Sequence, residues 1–151
     1  MDADMLKKAK GYALRLFKLR PRSCVELAEK MRGKGYEDEV ISRVRADFIA
    51  MGYLDDDAFA KAWMQSRLKK YGLRRVMREL SDKGIAKDKI ESLKEAGREE
   101  YDEAAVVRGI VERRLRIYNN IEPLKRKRRL MDYLLRRGFG LESVNKVLRA
   151  L

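Results

Sequence analysis

One pattern occurs three times in this chain. The segments "LAEKMRGKGYEDEVI" (27–41), "VMRELSDKGIAKDKI" (76–90) and "LMDYLLRRGFGLESV" (130–144) align without gaps, at offsets of 49 and 54 residues. Each has an apolar residue at the first and fifth positions: Leu27 and Met31, Val76 and Leu80, Leu130 and Leu134. Each has glycine at the ninth (Gly35, Gly84, Gly138), a basic residue before it, and Tyr36, Ile85 or Phe139 after it. Apolar residues four apart share one helix face, and glycine is the usual residue just past a helix end. A helical stretch precedes each copy, so the repeating unit is helix–helix–helix. The predicted fold is all-α: three tandem three-helix (helix-turn-helix-like) repeats at 1–54, 55–97 and 98–151, forming an elongated, curved array.

Local signals support this division. Leu6, Ala9, Ala13, Leu16 and Phe17 recur at helical spacing, and Pro21 closes that helix. Ser23 and Glu26 have the spacing of a capping box, in which each side chain takes the other's free backbone N–H. Val40, Ile41, Val44, Phe48 and Met51 form the next stripe, closed by Gly52. Three consecutive aspartates then stand in "GYLDDDAFAKAW" (52–63). With Asp55 as N-cap, Asp56 and Asp57 fall on the first turn, facing the positive end of the helix dipole. Leu54 and Phe59 have the spacing of a hydrophobic staple. Side chains of consecutive helix residues diverge by about 100°, so the three carboxylates do not converge on one cation. They are read as a helix start rather than a Mg²⁺ site.

The helix so opened is assigned Phe59, Ala62, Trp63 and Ser66 as its inner face, with Phe59 and Trp63 packing in the core. Leu73, Val76, Met77 and Leu80 build the next helix, and Asp88 is placed as cap of the one carrying Ile90 and Leu93. Ala104, Val107, Val111, Leu115 and Tyr118 mark a longer helix. Pro123 starts the next, where Arg126 aligns with the cap Ser23 of the first repeat. Val144, Val147, Leu148 and Leu151 form the last stripe. Tyr53 and Tyr71 are read as covers of repeat junctions, and Cys24 as a small buried apolar residue.

Composition narrows the chemistry. The 151 residues contain no histidine and one cysteine. That excludes His-based general acid–base catalysis, zinc sites and internal disulfides. No cofactor or metal is expected. No apolar run is long enough for a membrane span, and a cytoplasmic protein is expected. The formal net charge is +13, and from Arg108 to Leu151 there are 13 basic residues against 4 acidic ones. Such a block points to a polyanionic partner. The candidate contacts are Arg74, Arg75 and Arg78; Arg113, Arg114 and Arg116; and Lys125, Arg126, Arg128 and Arg129 with Arg136 and Arg137. Arg126, Arg129 and Arg137 fall along one stripe of a continuous helix, with Lys127 turned toward the core edge.

The stretch "GYLDDDAFAKAWMQSRLKKYGLRRVMRELSDKGI" (52–85) resembles the central signature of the RecX family, regulators of the bacterial recombinase RecA. The elements carrying the resemblance are Gly52-Tyr53-Leu54-Asp55-Asp56, Phe59-Ala60, Trp63, Arg67, Gly72, Glu79-Leu80 and Lys83-Gly84-Ile85. "RPRSCVELAEKMRGKGY" (20–36) is similar to the family's preceding block. The resemblance implies a monomeric, non-enzymatic protein that binds the RecA filament and single- and double-stranded DNA. It implies inhibition of filament extension and of RecA's recombinase, ATPase and coprotease activities, and so regulation of recombination, DNA repair and the SOS response. Whether inhibition acts by end-capping or by insertion into the filament groove is left open. The competing readings are a helix-turn-helix-like transcriptional regulator and a Mg²⁺-dependent nuclease built on Asp55, Asp56 and Asp57.

Overall fold

The computed structural model describes residues 2–151. Its helices are α1 (Ala3–Leu19), α2 (Cys24–Gly33), α3 (Asp38–Ala50), α4 (Asp56–Arg67), α5 (Leu73–Asp82), α6 (Lys87–Ala96), α7 (Glu103–Ile117), α8 (Pro123–Arg136) and α9 (Leu141–Leu148). No strand occurs among the described residues.

The repeated motif is one helix-stop built three times. Gly35, Gly84 and Gly138 have φ of +99°, +81° and +88°, a region that side-chain-bearing residues rarely enter. The residue after each glycine donates its N–H to the carbonyl of the motif's fifth residue: Tyr36 to Met31 at 3.1 Å, Ile85 to Leu80 at 3.0 Å, Phe139 to Leu134 at 3.2 Å. Each glycine N–H bonds the carbonyl three residues back, to Arg32, Ser81 and Leu135. These paired bonds are the Schellman ending of α2, α5 and α8, and they satisfy carbonyls a helix end would leave open. The apolar residue after each glycine therefore has its backbone fixed by the same motif.

By compactness the chain divides into two units, Met1–Ala62 with Leu80–Lys89 and Trp63–Glu79 with Ile90–Leu151. The first unit is cored by Ala13, Leu27, Met31, Val44 and Phe48, all at most 1% exposed. Phe17 and Tyr53 pack on Phe48 at centroid distances of 5.6 and 5.5 Å. Met51, expected in this stripe, is 55% exposed, because it caps α3 beyond its last inward turn.

A capping box starts α2. Ser23 Oγ accepts from Glu26 N–H at 3.1 Å, and the Glu26 carboxylate accepts from Ser23 N–H at 3.2 Å. The Ser23 hydroxyl also donates to the Lys83 carbonyl at 2.7 Å. The Glu26 carboxylate is further bound by Lys83 Nζ, at 3.2 Å, and by Arg20. Burial pushes Glu26 up, but Arg20, the Ser23 N–H and Lys83 outweigh it and hold the carboxyl below its usual range. Ser23 is fully buried. Ser23→Ala removes both the cap and the bond to Lys83, and is expected to cost roughly 1–2 kcal/mol in urea denaturation.

The three aspartates diverge. Asp55 accepts from Ala58 N–H at 3.1 Å, Asp56 from Cys24 N–H at 2.9 Å, and Asp57 pairs with Lys89 at 3.1 Å. Among the described residues no group of three or more His, Cys, Asp or Glu could hold a metal ion. Cys24 is half-buried at the start of α2, and burial together with Asp56 pushes its thiol up. Asp88 lies in the first turn of α6, which starts at Lys87, so it faces the dipole rather than capping.

The second unit is cored by Val107, Val111, Leu130, Leu134, Val144 and Leu148. Pro123 occupies the first turn of α8, and Glu122 caps it through the Leu124 N–H at 3.2 Å. Glu103, in the first turn of α7, binds two other helix starts. It accepts from Leu73 N–H of α5 at 3.3 Å, and from Gly140 N–H at 3.3 Å and Ser143 Oγ at 2.8 Å at α9. Leu151, expected inward, is 54% exposed past the end of α9.

The inner face of α4 differs from expectation. Phe59, Ala60 and Met64 are buried, whereas Ala62 and Ser66 are exposed and Trp63 is half-buried. Trp63 stays at the edge because its indole Nε1–H donates to Glu79 at 3.0 Å, which fixes the polar side of the ring outward from the core.

Candidate polyanion interface

Within the second unit, arginines and aromatic rings alternate. The Arg67 guanidinium lies 5.4 Å from the Trp63 ring centroid and 4.1 Å from that of Tyr71. Arg75 and Arg137 lie 4.1 and 4.4 Å from Tyr71. Arg137 is also 5.1 Å from Tyr133, while Arg114 is 3.5 Å from Tyr133 and 5.9 Å from Tyr118. Local spacing explains some of these pairs. Trp63, Arg67, Tyr71 and Arg75 are four residues apart, as are Arg114 and Tyr118, and Tyr133 and Arg137. On a helix that spacing brings side chains together, as for Trp63 and Arg67 of α4, whereas Tyr71 lies in the connection between α4 and α5, whose turn sets it against Arg67 and Arg75. Such cation–ring contacts contribute about 0.5–2 kcal/mol each.

The ladder has two chemically different ends. At one, Glu79 neutralises the cations. Its carboxylate accepts from Arg67 Nε and Nη2 at 3.0 and 2.7 Å, from Arg75 Nε at 3.3 Å, and from Trp63. At the other, the arginines have only neutral partners among the described residues. Arg114 Nη1 donates to the Tyr118 hydroxyl at 3.1 Å. Arg137 Nη1 donates to the Tyr133 hydroxyl at 2.6 Å, and its Nε to the Lys70 carbonyl at 3.0 Å. These side chains are held in place and remain uncompensated in charge.

They line a cleft of about 380 Å³ formed by Lys69, Lys70, Ile110, Arg113, Arg114, Ile117, Tyr133 and Arg137. Its five cations face no carboxylate in the lining, so an anion placed there meets no repulsion from it.

The sequence candidates distribute unevenly around this cleft. Arg113, Arg114 and Arg137 meet in it, and Arg75 joins through Tyr71. Arg74, Arg78, Arg116 and Arg136 are exposed elsewhere. Lys125, Arg128 and Arg129 are exposed on α8, and the half-buried Arg126 and Lys127 line a separate hollow with Pro123, Leu124 and Leu151. Arg137 does not continue the stripe of Arg126 and Arg129. The helix ends at Arg136, and the Tyr133 hydroxyl and the Lys70 carbonyl direct the Arg137 side chain into the cleft. Sequence reading missed Lys69, Lys70 and Tyr133, and it named Arg67 and Tyr71 without placing them beside a cation cluster. The four-residue spacing of Trp63, Arg67, Tyr71 and Arg75 was the signal available for Arg67 and Tyr71.

Family models for the first, second and third three-helix domains of RecX match residues 9–46, 55–92 and 100–148. The chain belongs to the RecX family. It is 33% identical to the regulatory protein RecX of Thermobifida fusca (strain YX) over 97% of this chain and 80% of that one. It is 34% identical to the regulatory protein RecX of Streptomyces coelicolor, over 97% and 78% of the two chains. The fold is also that of the crystal structure of RecX from Lactobacillus salivarius, with a TM-score of 0.75 and 18% identity over 99% of this chain and 98% of that one. A second crystal structure of regulatory protein RecX gives 0.78 at 19% identity, over 99% and 75%. Trp63, Arg67 and Glu79, within the segment matched by the second RecX domain, form the neutralised end of the ladder, while the uncompensated cations lie beyond it.

Proposed function

We propose that the protein is a non-enzymatic regulator that binds RecA nucleoprotein filaments and DNA. In this reading it inhibits RecA filament extension and, with it, recombinase, ATPase and coprotease activities. It acts as a monomer in the cytoplasm through three repeats bounded at 1–54, 55–97 and 98–151. The main support is family membership across all three domains, joined to the cation excess of the last third. Repeated weak contacts along a periodic filament multiply, so a regulator of this kind needs no deep pocket. The exposed cations Lys125, Arg128 and Arg129, with Arg126, supply phosphate contacts. No helix among the described residues is long and apolar enough to cross a membrane.

Two measurements test this. RecA ATP hydrolysis on single-stranded DNA should fall at protein amounts well below one copy per RecA. Inhibition only at amounts that coat the free DNA would mean simple competition and reject the filament reading. The double variant Arg126→Ala with Arg129→Ala should bind single-stranded DNA more weakly. Its plot of log affinity against log salt should be shallower by about 1.4, the loss expected for two phosphate contacts. An unchanged slope would move the phosphate site off α8.

A further inference from the structure

The ring faces near the cleft are already taken. Tyr71 has three guanidinium groups within 4.4 Å of its centroid, and Arg114 lies 3.5 Å from that of Tyr133. Single-stranded nucleic acid is gripped by stacking its bases on open aromatic faces. Here those faces hold arginines instead. The cleft offers a different combination: five cations together with two isoleucines, buried Ile110 and Ile117, which is 69% exposed. An exposed β-branched residue among cations does nothing for a phosphate backbone, but it suits an apolar side chain of a protein partner.

The donors are also fixed in advance. Arg137 is held by Tyr133 and the Lys70 carbonyl, and Arg114 by Tyr118 and the Tyr133 ring. Their remaining N–H groups need little ordering when a ligand arrives, and a guanidinium fork matches a carboxylate in shape. Arginine and tyrosine in this setting are the residues that dominate protein–protein contacts. The 125–129 run is the opposite case. Its cations form no ion pair or ring contact among the described residues, and such unbraced charges suit phosphates.

We infer that the cleft of Lys69, Lys70, Arg113, Arg114 and Arg137 docks an acidic protein segment bearing an apolar anchor that packs on Ile117, leaving nucleic-acid phosphates to α8. The source of that segment, the protein surface of the filament, rests on the function proposed above; the binding chemistry does not.

The test uses the purified full chain without recombinase. The probe is a fluorescein-labelled nonapeptide of Glu and Asp with one central Leu, compared with the same peptide carrying Ser, and with a single-stranded oligonucleotide. The Leu peptide should bind about tenfold more tightly than the Ser peptide, the factor expected for one buried apolar anchor. Lys70→Ala with Arg113→Ala, whose side chains are exposed and make none of the ladder bonds (the Lys70 carbonyl that holds Arg137 is backbone and remains), should weaken the peptide about tenfold and leave the oligonucleotide within about twofold. Arg126→Ala with Arg129→Ala should do the reverse. If the oligonucleotide displaces the peptide and the Lys70/Arg113 variant weakens both equally, the cleft is a phosphate site and the inference is wrong. A peptide that binds without regard to Leu, or to Lys70 and Arg113, also overturns it. Neither result bears on the RecA ATPase measurement, so the two readings fail separately.

Discussion

Gly72→Ala is expected to lower the stability of the protein by roughly 3 kcal/mol, a fall in Tm of about 10 °C. Gly72 lies just before α5, where its N–H donates to the Arg137 carbonyl at 2.9 Å. A Cβ at this position would stand 2.0 Å from the Gly138 carbonyl oxygen and 2.3 Å from the Phe139 N. Both obstacles are backbone, so no side chain can swing away. The start of α5 and the end of α8 would have to part, breaking the Gly72 bond and disturbing the Schellman ending at Gly138. Gly11 provides the contrast. It lies inside α1 with nothing within 4 Å of a built Cβ. There Gly11→Ala should stabilise by about 0.5–1 kcal/mol through helix propensity alone. Thermal melts of the two variants by circular dichroism should therefore move in opposite directions. Equal small shifts would mean the α5–α8 approach is looser than the structure has it.

That approach shows where the sequence stops being informative. Helix ends were legible because their determinants are local. The glycine-plus-apolar motif at 35, 84 and 138 encodes a hydrogen-bond pattern spanning six residues, and all three copies form it. Ser23 with Glu26, and Asp55 with its neighbours, act within three residues or close to it. Gly72 carried no such signal, since its obstacle lies 66 residues away in the chain. The cleft failed for the same reason. Lys69 and Lys70 reach Arg113, Arg114 and Arg137 only through tertiary packing, and Arg137 meets the Lys70 carbonyl across 67 residues. The inner face of α4 was misjudged because apolar periodicity treats tryptophan as wholly apolar. The indole N–H of Trp63 finds its acceptor on another helix, and that bond decides which way the ring turns.

Removing that acceptor should be nearly as damaging as the added methyl at Gly72. Glu79→Ala leaves Trp63 Nε1 and two guanidinium groups without their carboxylate, and a loss of about 2–3 kcal/mol is expected. The larger costs known for buried pairs do not apply, because the Glu79 side chain is 18% exposed and that of Arg75 40%. Burial pushes the Glu79 carboxyl up, but Arg67, Trp63 and Arg75 together outweigh it, so the folded value lies below the ordinary 4.5. A depressed acid stabilises fully above its unfolded pKa, and that contribution is lost as pH falls through the folded one. Glu79→Gln should therefore differ most from the wild type near neutrality, with the gap in Tm narrowing below about pH 4.5. A gap independent of pH would assign the effect to packing rather than charge. The consequence reaches the cleft, because Tyr71 is shared: Arg67 and Arg75, held by Glu79, lie against the same ring as Arg137. Removing the Glu79 charge leaves Arg67 and Arg75 unneutralised beside Arg137, so Glu79→Gln should tighten an anion in the cleft although Glu79 does not line it.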